Sequence, residues 1–186
     1  MKKIVIGLAG EMGSGKGTVA KFIAEKYKGS YYRFSTMLRD VLDRLHLEQS
    51  RENLPKISVA LRNAFGEDIF DKVMVGDIEK DQSEIIVVDG MRRLKDAENL
   101  RKLAGFYLVY VDASLENCFE RIVKRHENTD DAGKTIEEFK KEHTDEPETQ
   151  IRALKDISDF VVENNGTLEE LYAKVDEVIK KFYPVK

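Results

Sequence analysis

Residues 10–18 read GEMGSGKGT and follow directly on the apolar run Ile4-Val5-Ile6-Gly7-Leu8-Ala9. Gly15 stands five positions after Gly10, Lys16 comes next, and beyond it Val19, Phe22 and Ile23 recur at helical spacing. A buried strand therefore runs into a glycine-rich loop that opens a helix. Glycine backbones can turn so that successive N–H groups face one anion, and the helix start adds its partial positive charge. The expectation is a phosphate-binding loop in which Gly10, Gly13, Ser14, Gly15, Lys16, Gly17 and Thr18 cradle the ligand and Lys16 reaches the outer phosphates. Gly17 occupies the place where a Ser or Thr usually ligates magnesium, so the loop's hydroxyl comes one residue later, at Thr18.

Outward from the loop, strands and helices alternate. A short strand is expected at Tyr31-Tyr32-Arg33-Phe34, bounded by Ser35-Thr36, and both tyrosines read as packing residues. Three amphipathic segments follow: Met37 to Leu45, Ile57 to Phe65 (ended by Gly66), and Ile69 to Ile78. No strand interrupts residues 36–81, so residues 35–82 read as a helical insertion over one side of the loop that should hold a second substrate. Ile85-Ile86-Val87-Val88 is an uninterrupted apolar run, as for a central parallel strand, and ends in Asp89-Gly90. A helix is expected over 94–104, a strand over 106–111, a helix over 114–125, a helix over 151–157, a strand at Phe160-Val161-Val162 and a helix over 167–182. The polar region 127–148, with Asp130-Asp131 and Gly133, suits a lid. The fold class is a doubly wound, three-layer α/β/α arrangement on a five-stranded parallel sheet, one domain over residues 1–186.

Composition narrows the function classes. The chain has 186 residues, 35% charged and 41% hydrophobic, with three prolines and a formal net charge of -4. Lys and Arg are dispersed, so no footprint for duplex nucleic acid is visible. The one cysteine, Cys118, excludes an internal disulfide and a four-cysteine zinc site and suits a reducing compartment. No apolar stretch is long enough for a signal peptide or membrane span, and a cytoplasmic protein is expected. Three histidines without metal-site spacing, and no serine in a GxSxG context, leave zinc hydrolysis and triad chemistry unsupported.

The remaining candidates surround the loop. Asp89 ends the central strand, where an open parallel sheet builds its ligand crevice. It could hold magnesium directly or through water, or orient an attacking oxygen. Arg39, Arg92 and Arg93, with Arg62 as a weaker member, suit bidentate capture of a substrate phosphate. Arg121 and Arg125 share a helix face. One could stack on a base while the other neutralises a transferring phosphoryl group. Glu11, a carboxylate within the loop, should repel phosphates unless it turns outward or accepts a backbone N–H.

With these residues in place, the chain resembles the nucleoside monophosphate kinases among P-loop kinases, adenylate kinases especially. GxxGxGKGT is that group's loop. Ser35-Thr36-Met37-Leu38-Arg39 is similar to its STGDMLR with two residues missing, Asp89-Gly90-Met91-Arg92-Arg93 to its DGFPR, and residues 120–125 to its ERxxxR. The resemblance implies ATP at the loop, magnesium held by Thr18 and Asp89, an acceptor phosphate near Arg39 and Arg93, and adenine beside Arg121. Val162-Glu163-Asn164-Asn165-Gly166-Thr167 looks closer still to a poorly characterised group of nucleotide kinases and to dephospho-CoA kinases, in which that turn passes the adenine. Asn165 and Gly166 are then candidate base contacts. Two departures stand out: Lys134, Lys140, Lys141 and His143 replace the expected lid arginines, and the second-strand aspartate of dephospho-CoA kinases is absent. The reading is ATP-dependent phosphoryl transfer to a nucleoside or deoxynucleoside monophosphate. The alternatives are a dephospho-CoA kinase-like acceptor hydroxyl, or an ATPase module working through a protein or RNA partner.

Overall fold

The computed structural model describes residues 3–50, 52–125, 135–144 and 146–183. The sheet has five parallel strands, β1 (Ile4–Ala9), β2 (Ser30–Arg33), β3 (Ile85–Asp89), β4 (Phe106–Asp112) and β5 (Phe160–Glu163), in the order β2-β3-β1-β4-β5. Strand β1 lies at the centre, buried at every position, in register Leu8 to Asp89 on one side and Ala9 to Tyr110 on the other. The ends of β1 and β3 therefore deliver the loop and Asp89 to the same edge, as the parallel pattern predicts.

Alternate β1 side chains serve opposite faces. Ile4, Ile6 and Leu8 pack with Val19, Ala20 and Ile23 of α1 (Lys16–Lys26) and Leu171, Val175 and Ile179 of α8 (Leu168–Phe182). Val5 and Ala9 pack with the opposite layer. It is built from α2 (Phe34–Arg44), α4 (Ile69–Lys80) and α7 (Glu146–Asp156), through Phe34, Phe70, Met74, Ile78, Ile151 and Leu154. With α3 (Asn53–Phe65), helices α2 and α4 form the uninterrupted helical block expected from the sequence.

One expectation needs correction. Residues 94–104 form two short 3-10 turns, Leu94–Ala97 and Leu100–Lys102, instead of one helix. Asp71 of α4 takes two backbone donors that a helix would have used, while Asp96 caps the start of the first turn. Asp96 accepts from the N–H groups of Arg92 (2.9 Å) and Arg93 (3.1 Å), and Asp71 from those of Asn99 (2.6 Å) and Leu100 (3.3 Å). Polar residues here serve as backbone partners, which an apolar count overlooks. The region proposed as a lid holds a helix. Part of it, 127–134 and 145, lies outside the described residues, but α6 (Ile136–Thr144) is a helix within it. Its start is a capping box: Thr135 Oγ1 accepts from Glu138 N–H, and Glu138 returns a carboxylate to Thr135 N–H at 2.8 Å.

Helix α6 matters to the site because Phe139 is wholly buried with Cys118 and Ile122 of α5 (Leu115–Arg125), against Met12 of the loop. Phe139→Ala should destabilise the chain by ~3–5 kcal/mol in urea unfolding, the usual cost of emptying an aromatic core position. A cost near zero would mean α6 is not packed as described.

Candidate active site

The loop leaves β1 with Gly13 and Gly15 in the left-handed region, at φ 82° and 95°. Neither could carry a side chain. A Cβ on Gly13 would lie 2.4 Å from the Cys118 carbonyl oxygen, and one on Gly15 would lie 2.3 Å from Asn164 Nδ2. Space beside Gly17 is open, with nothing within 4 Å of its would-be Cβ. Helix α1 starts directly at Lys16, and its first N–H groups, as at any helix start, lack intrahelical partners. These donors, the αL turn and Lys16 form an anion-binding concavity.

Lys16 reaches back over this concavity, its Nζ 3.5 Å from the Glu11 carbonyl oxygen. Burial is the largest influence on it and pushes its pKa below the ordinary lysine value; Asp89 and Glu148 pull the other way, while Arg92 and Arg33 add to the depression. Asp89 is 2% exposed. Its Oδ2 accepts from the Tyr31 hydroxyl at 3.0 Å and lies 3.8 Å from Arg33 Nε, whereas Oδ1 is buried without a hydrogen-bond partner. Burial beside Asp89 pushes the Tyr31 hydroxyl up to about 12, so it stays a donor near neutrality. Tyr31 is thus more than a packing residue. The Tyr32 hydroxyl bonds Asp81, away from the loop.

An orphaned, buried carboxylate oxygen beside a lysine and a helix start suits hydrated magnesium, a hard cation that keeps several waters. Thr18 is exposed at the start of α1, so its hydroxyl is open to such a role.

The arginines sort into different environments. Arg92 is exposed at the end of the crevice. Arg39 donates to Gln49 Oε1 (2.8 Å) and Arg93 to Glu67 (3.0 Å), both on the surface where a ligand can compete. Arg62 is a correction: at 8% exposure it is paired with buried Asp96 (2.8 Å), bonds the Glu67 carbonyl and sits over the Phe70 ring. Its fork is used internally, and through Asp96 it steadies the Arg92-Arg93 turn. Arg121 reaches the loop. It donates to the Asn164 carbonyl at 2.7 Å and approaches the Gly13 and Ser14 carbonyls at 3.5 Å. The Arg125 side chain lies outside what the structure describes. At the surface the Asn165 side chain accepts from Ser114 N–H (2.7 Å), and Gly166 precedes the Thr167–Glu170 capping box of α8. A Cβ there would collide with Glu170.

Glu11 turns outward. It pairs with Arg152 of α7 (Nε to Oε1, 3.0 Å) and lies 3.7 Å from His143 Nε2, while Glu148 accepts from Met12 N–H at 3.0 Å. Donor atoms of Glu11, His143 and Glu148 lie within 4.8 Å of one another, but Arg152 already supplies the positive charge this cluster requires. The cluster straps α6 and α7 to the back of the loop. Arg33, Tyr31, Glu148, Arg152 and Asn164 were not singled out from the sequence. Only Asn164 carried a signal, its place in the last-strand turn.

A phosphate loop at the central strand of this sheet defines a P-loop kinase-like domain. The chain belongs to the AAA domain family, whose sequence pattern matches residues 9–140, and to its UPF0200 proteins. The Staphylothermus marinus UPF0200 protein is 30% identical over 97% of this chain and 94% of its own. The Archaeoglobus fulgidus UPF0200/UPF0201 protein is 32% identical over 95% of this chain, which spans only 55% of that longer protein. Among solved structures, TT1252 from Thermus thermophilus superposes with a TM-score of 0.67 at 19% identity, covering 97% of this chain and 98% of that one. Shikimate kinase from Bacteroides thetaiotaomicron gives 0.61 at 15%, covering 96% and 97%. At these identities the structural likeness is one of fold. No described helix is long and apolar enough to cross a membrane.

The buried Lys16 ammonium has a measurable consequence. Because its folded pKa lies below the unfolded value of 10.5, the charged form costs stability at neutral pH, and the cost fades as pH rises toward 10.5. Lys16→Met should therefore raise the urea midpoint of the ligand-free protein near neutrality, with the difference from wild type shrinking as the solution becomes alkaline. A less stable variant at neutral pH would contradict this.

Proposed function

We propose that this chain transfers the γ-phosphoryl group of ATP, with magnesium, to a nucleoside or deoxynucleoside monophosphate. The observation that carries the reading is the pairing, in one crevice, of a phosphate loop bearing Lys16 with Asp89, whose buried Oδ1 has no partner, under a rim of arginines. In phosphoryl transfer the protein positions groups and neutralises charge, so no nucleophilic side chain is required. The loop backbone and Lys16 hold the donor phosphates. When bound, magnesium supplies charge neutralisation at the phosphate oxygens, and Asp89 and Thr18 are the residues that would hold it. Arg92, Arg39 and Arg93 take the acceptor phosphate on the side of the helical block 35–82, with Arg62 as a positioning residue. Arg121 and Arg125 serve the transferring group, and the backbone at Asn165 and Gly166 serves the base. Residues 127–148 are assigned as the lid.

Cytoplasmic location and small-molecule partners, without duplex nucleic acid or membrane, complete the reading. Cys118 fits it: burial pushes its thiol up to about 11, leaving it unreactive at neutral pH.

A hydroxyl acceptor, as in dephospho-CoA kinases, is the second reading. The Tyr31 bond favours it by fixing one Asp89 oxygen and presenting the other, in position to take a proton. An ATPase module acting through a partner is the third. Incubation with ATP, magnesium and a panel of nucleoside monophosphates plus dephospho-CoA separates the three. Stoichiometric ADP and a phosphorylated monophosphate are expected. Phosphorylated dephospho-CoA would select the second reading, and loss of ATP without a phosphorylated product the third.

Lys16→Ala should lower turnover at least about a hundredfold, as when one transition-state charge donor is removed. Full activity in that variant would remove the proposal. Arg92→Ala should raise KM for the acceptor about tenfold or more while leaving KM for ATP unchanged, since charge-assisted hydrogen bonds contribute roughly 1.5–3 kcal/mol. A shift confined to ATP would move Arg92 to the donor side.

A further inference from the structure

Asn164 has no part in the reading above, yet it bonds the loop, β4 and Arg121 at once. It follows β5, is 6% exposed, and anchors its own N–H on the Asp112 carbonyl at 2.7 Å. Its side-chain Nδ2 donates to the Ser14 carbonyl at 2.8 Å, entirely within the protein interior. Its carbonyl and Oδ1 accept from Arg121 NH2 at 2.7 and 3.3 Å.

The bond to Ser14 has a directional consequence. A trans peptide unit is planar, with its C=O and the following N–H pointing in opposite directions. Holding the Ser14 carbonyl toward Asn164 therefore turns the Gly15 N–H to the opposite side, toward the concavity where phosphates bind. Glycine at 15 adopts the required φ of 95°, but it would as readily adopt the reverse, so the sequence of the loop alone does not fix this peptide. The clamp and the glycine require each other. Any side chain at 15 would strike Nδ2, so a glycine is the residue that lets the amide approach this closely. Arg121, at 3.5 Å from the Gly13 and Ser14 carbonyls, is too distant to do the same work.

We infer that Asn164 is the positioning residue of the phosphate loop: it fixes the Ser14–Gly15 peptide so that the Gly15 N–H faces the anion, and it carries Arg121 beside that peptide. The inference deepens the nucleotide reading and rests on it. It also makes the turn at 164–166 and the loop one rigid unit, so a change at Asn164 is felt at the phosphates and not only at the base.

Inorganic tripolyphosphate, which has no base, separates the two effects. Wild type and Asn164→Ala are titrated by calorimetry with magnesium tripolyphosphate and magnesium ATP, in buffer where urea curves show both proteins fully folded. The expected result is that Asn164→Ala weakens both ligands by the same factor, about five- to tenfold, the equivalent of one net hydrogen bond. Unchanged tripolyphosphate affinity, with or without weaker ATP binding, overturns the proposal. A merely structural role would lower the urea midpoint and leave the affinity of the folded protein intact. If Asn164→Ala does not fold, Asn164→Ser is measured against the same outcomes, since it keeps a hydroxyl for Arg121 but is too short to reach Ser14. Wild type that binds neither ligand would overturn the phosphate-site reading along with the inference. Binding by wild type with an unaltered variant overturns the inference alone.

Discussion

A loop that presents bare N–H groups and a buried ammonium to one point is unfavourable until an anion arrives, and everything near it keeps it in that shape. The charge is concentrated where burial already depresses the Lys16 pKa. Left to itself, a glycine-rich segment would turn these donors outward to water. Three contacts from behind prevent this: Asn164 on the Ser14 carbonyl, Glu148 on the Met12 N–H, and Arg152 on Glu11. Two come from α7 and one from the turn after β5, all far along the chain from the loop, so the loop's geometry depends on the completed fold.

The sheet provides the other half of the constraint. Because β1 and β3 run parallel in register, Leu8 opposite Asp89, the loop and the carboxylate leave the sheet side by side. Asp89 is then held by β2, through Tyr31 and Arg33, whose strand pairs Arg33 with Asp89. One carboxylate oxygen is fixed and the other is buried without a hydrogen-bond partner. Asp96 plays the matching role at the rim, accepting from two backbone N–H groups and from Arg62 to shape the turn that carries Arg92 and Arg93.

The features legible in the sequence were those with local causes. The apolar runs of β1 and β3, the glycine spacing of the loop, the helical block and the Thr167 cap each follow from a short stretch of chain. The nearness of Asp89 and Lys16 was legible because the ends of β1 and β3 converge in a parallel sheet. What escaped notice was a set of polar contacts between segments distant in sequence. Glu148 and Arg152 lie more than a hundred residues from the loop they secure. Arg62 looked like a ligand contact because its partner, Asp96, lies on another element. The turns at 94–102 were misread as a helix for the same reason, since Asp71 on α4 takes the Asn99 and Leu100 N–H groups. Glu11, an apparent fault within the loop, became intelligible once Arg152 was found beside it.

Backbone amide resonances of the loop test the central claim most directly. In proton–nitrogen correlation spectra recorded with and without magnesium ATP, the largest shift changes should fall on Gly13, Gly15, Lys16, Gly17 and Thr18, because their N–H groups are proposed to meet the phosphates. Changes centred on another surface, or none at saturating nucleotide, would contradict the account.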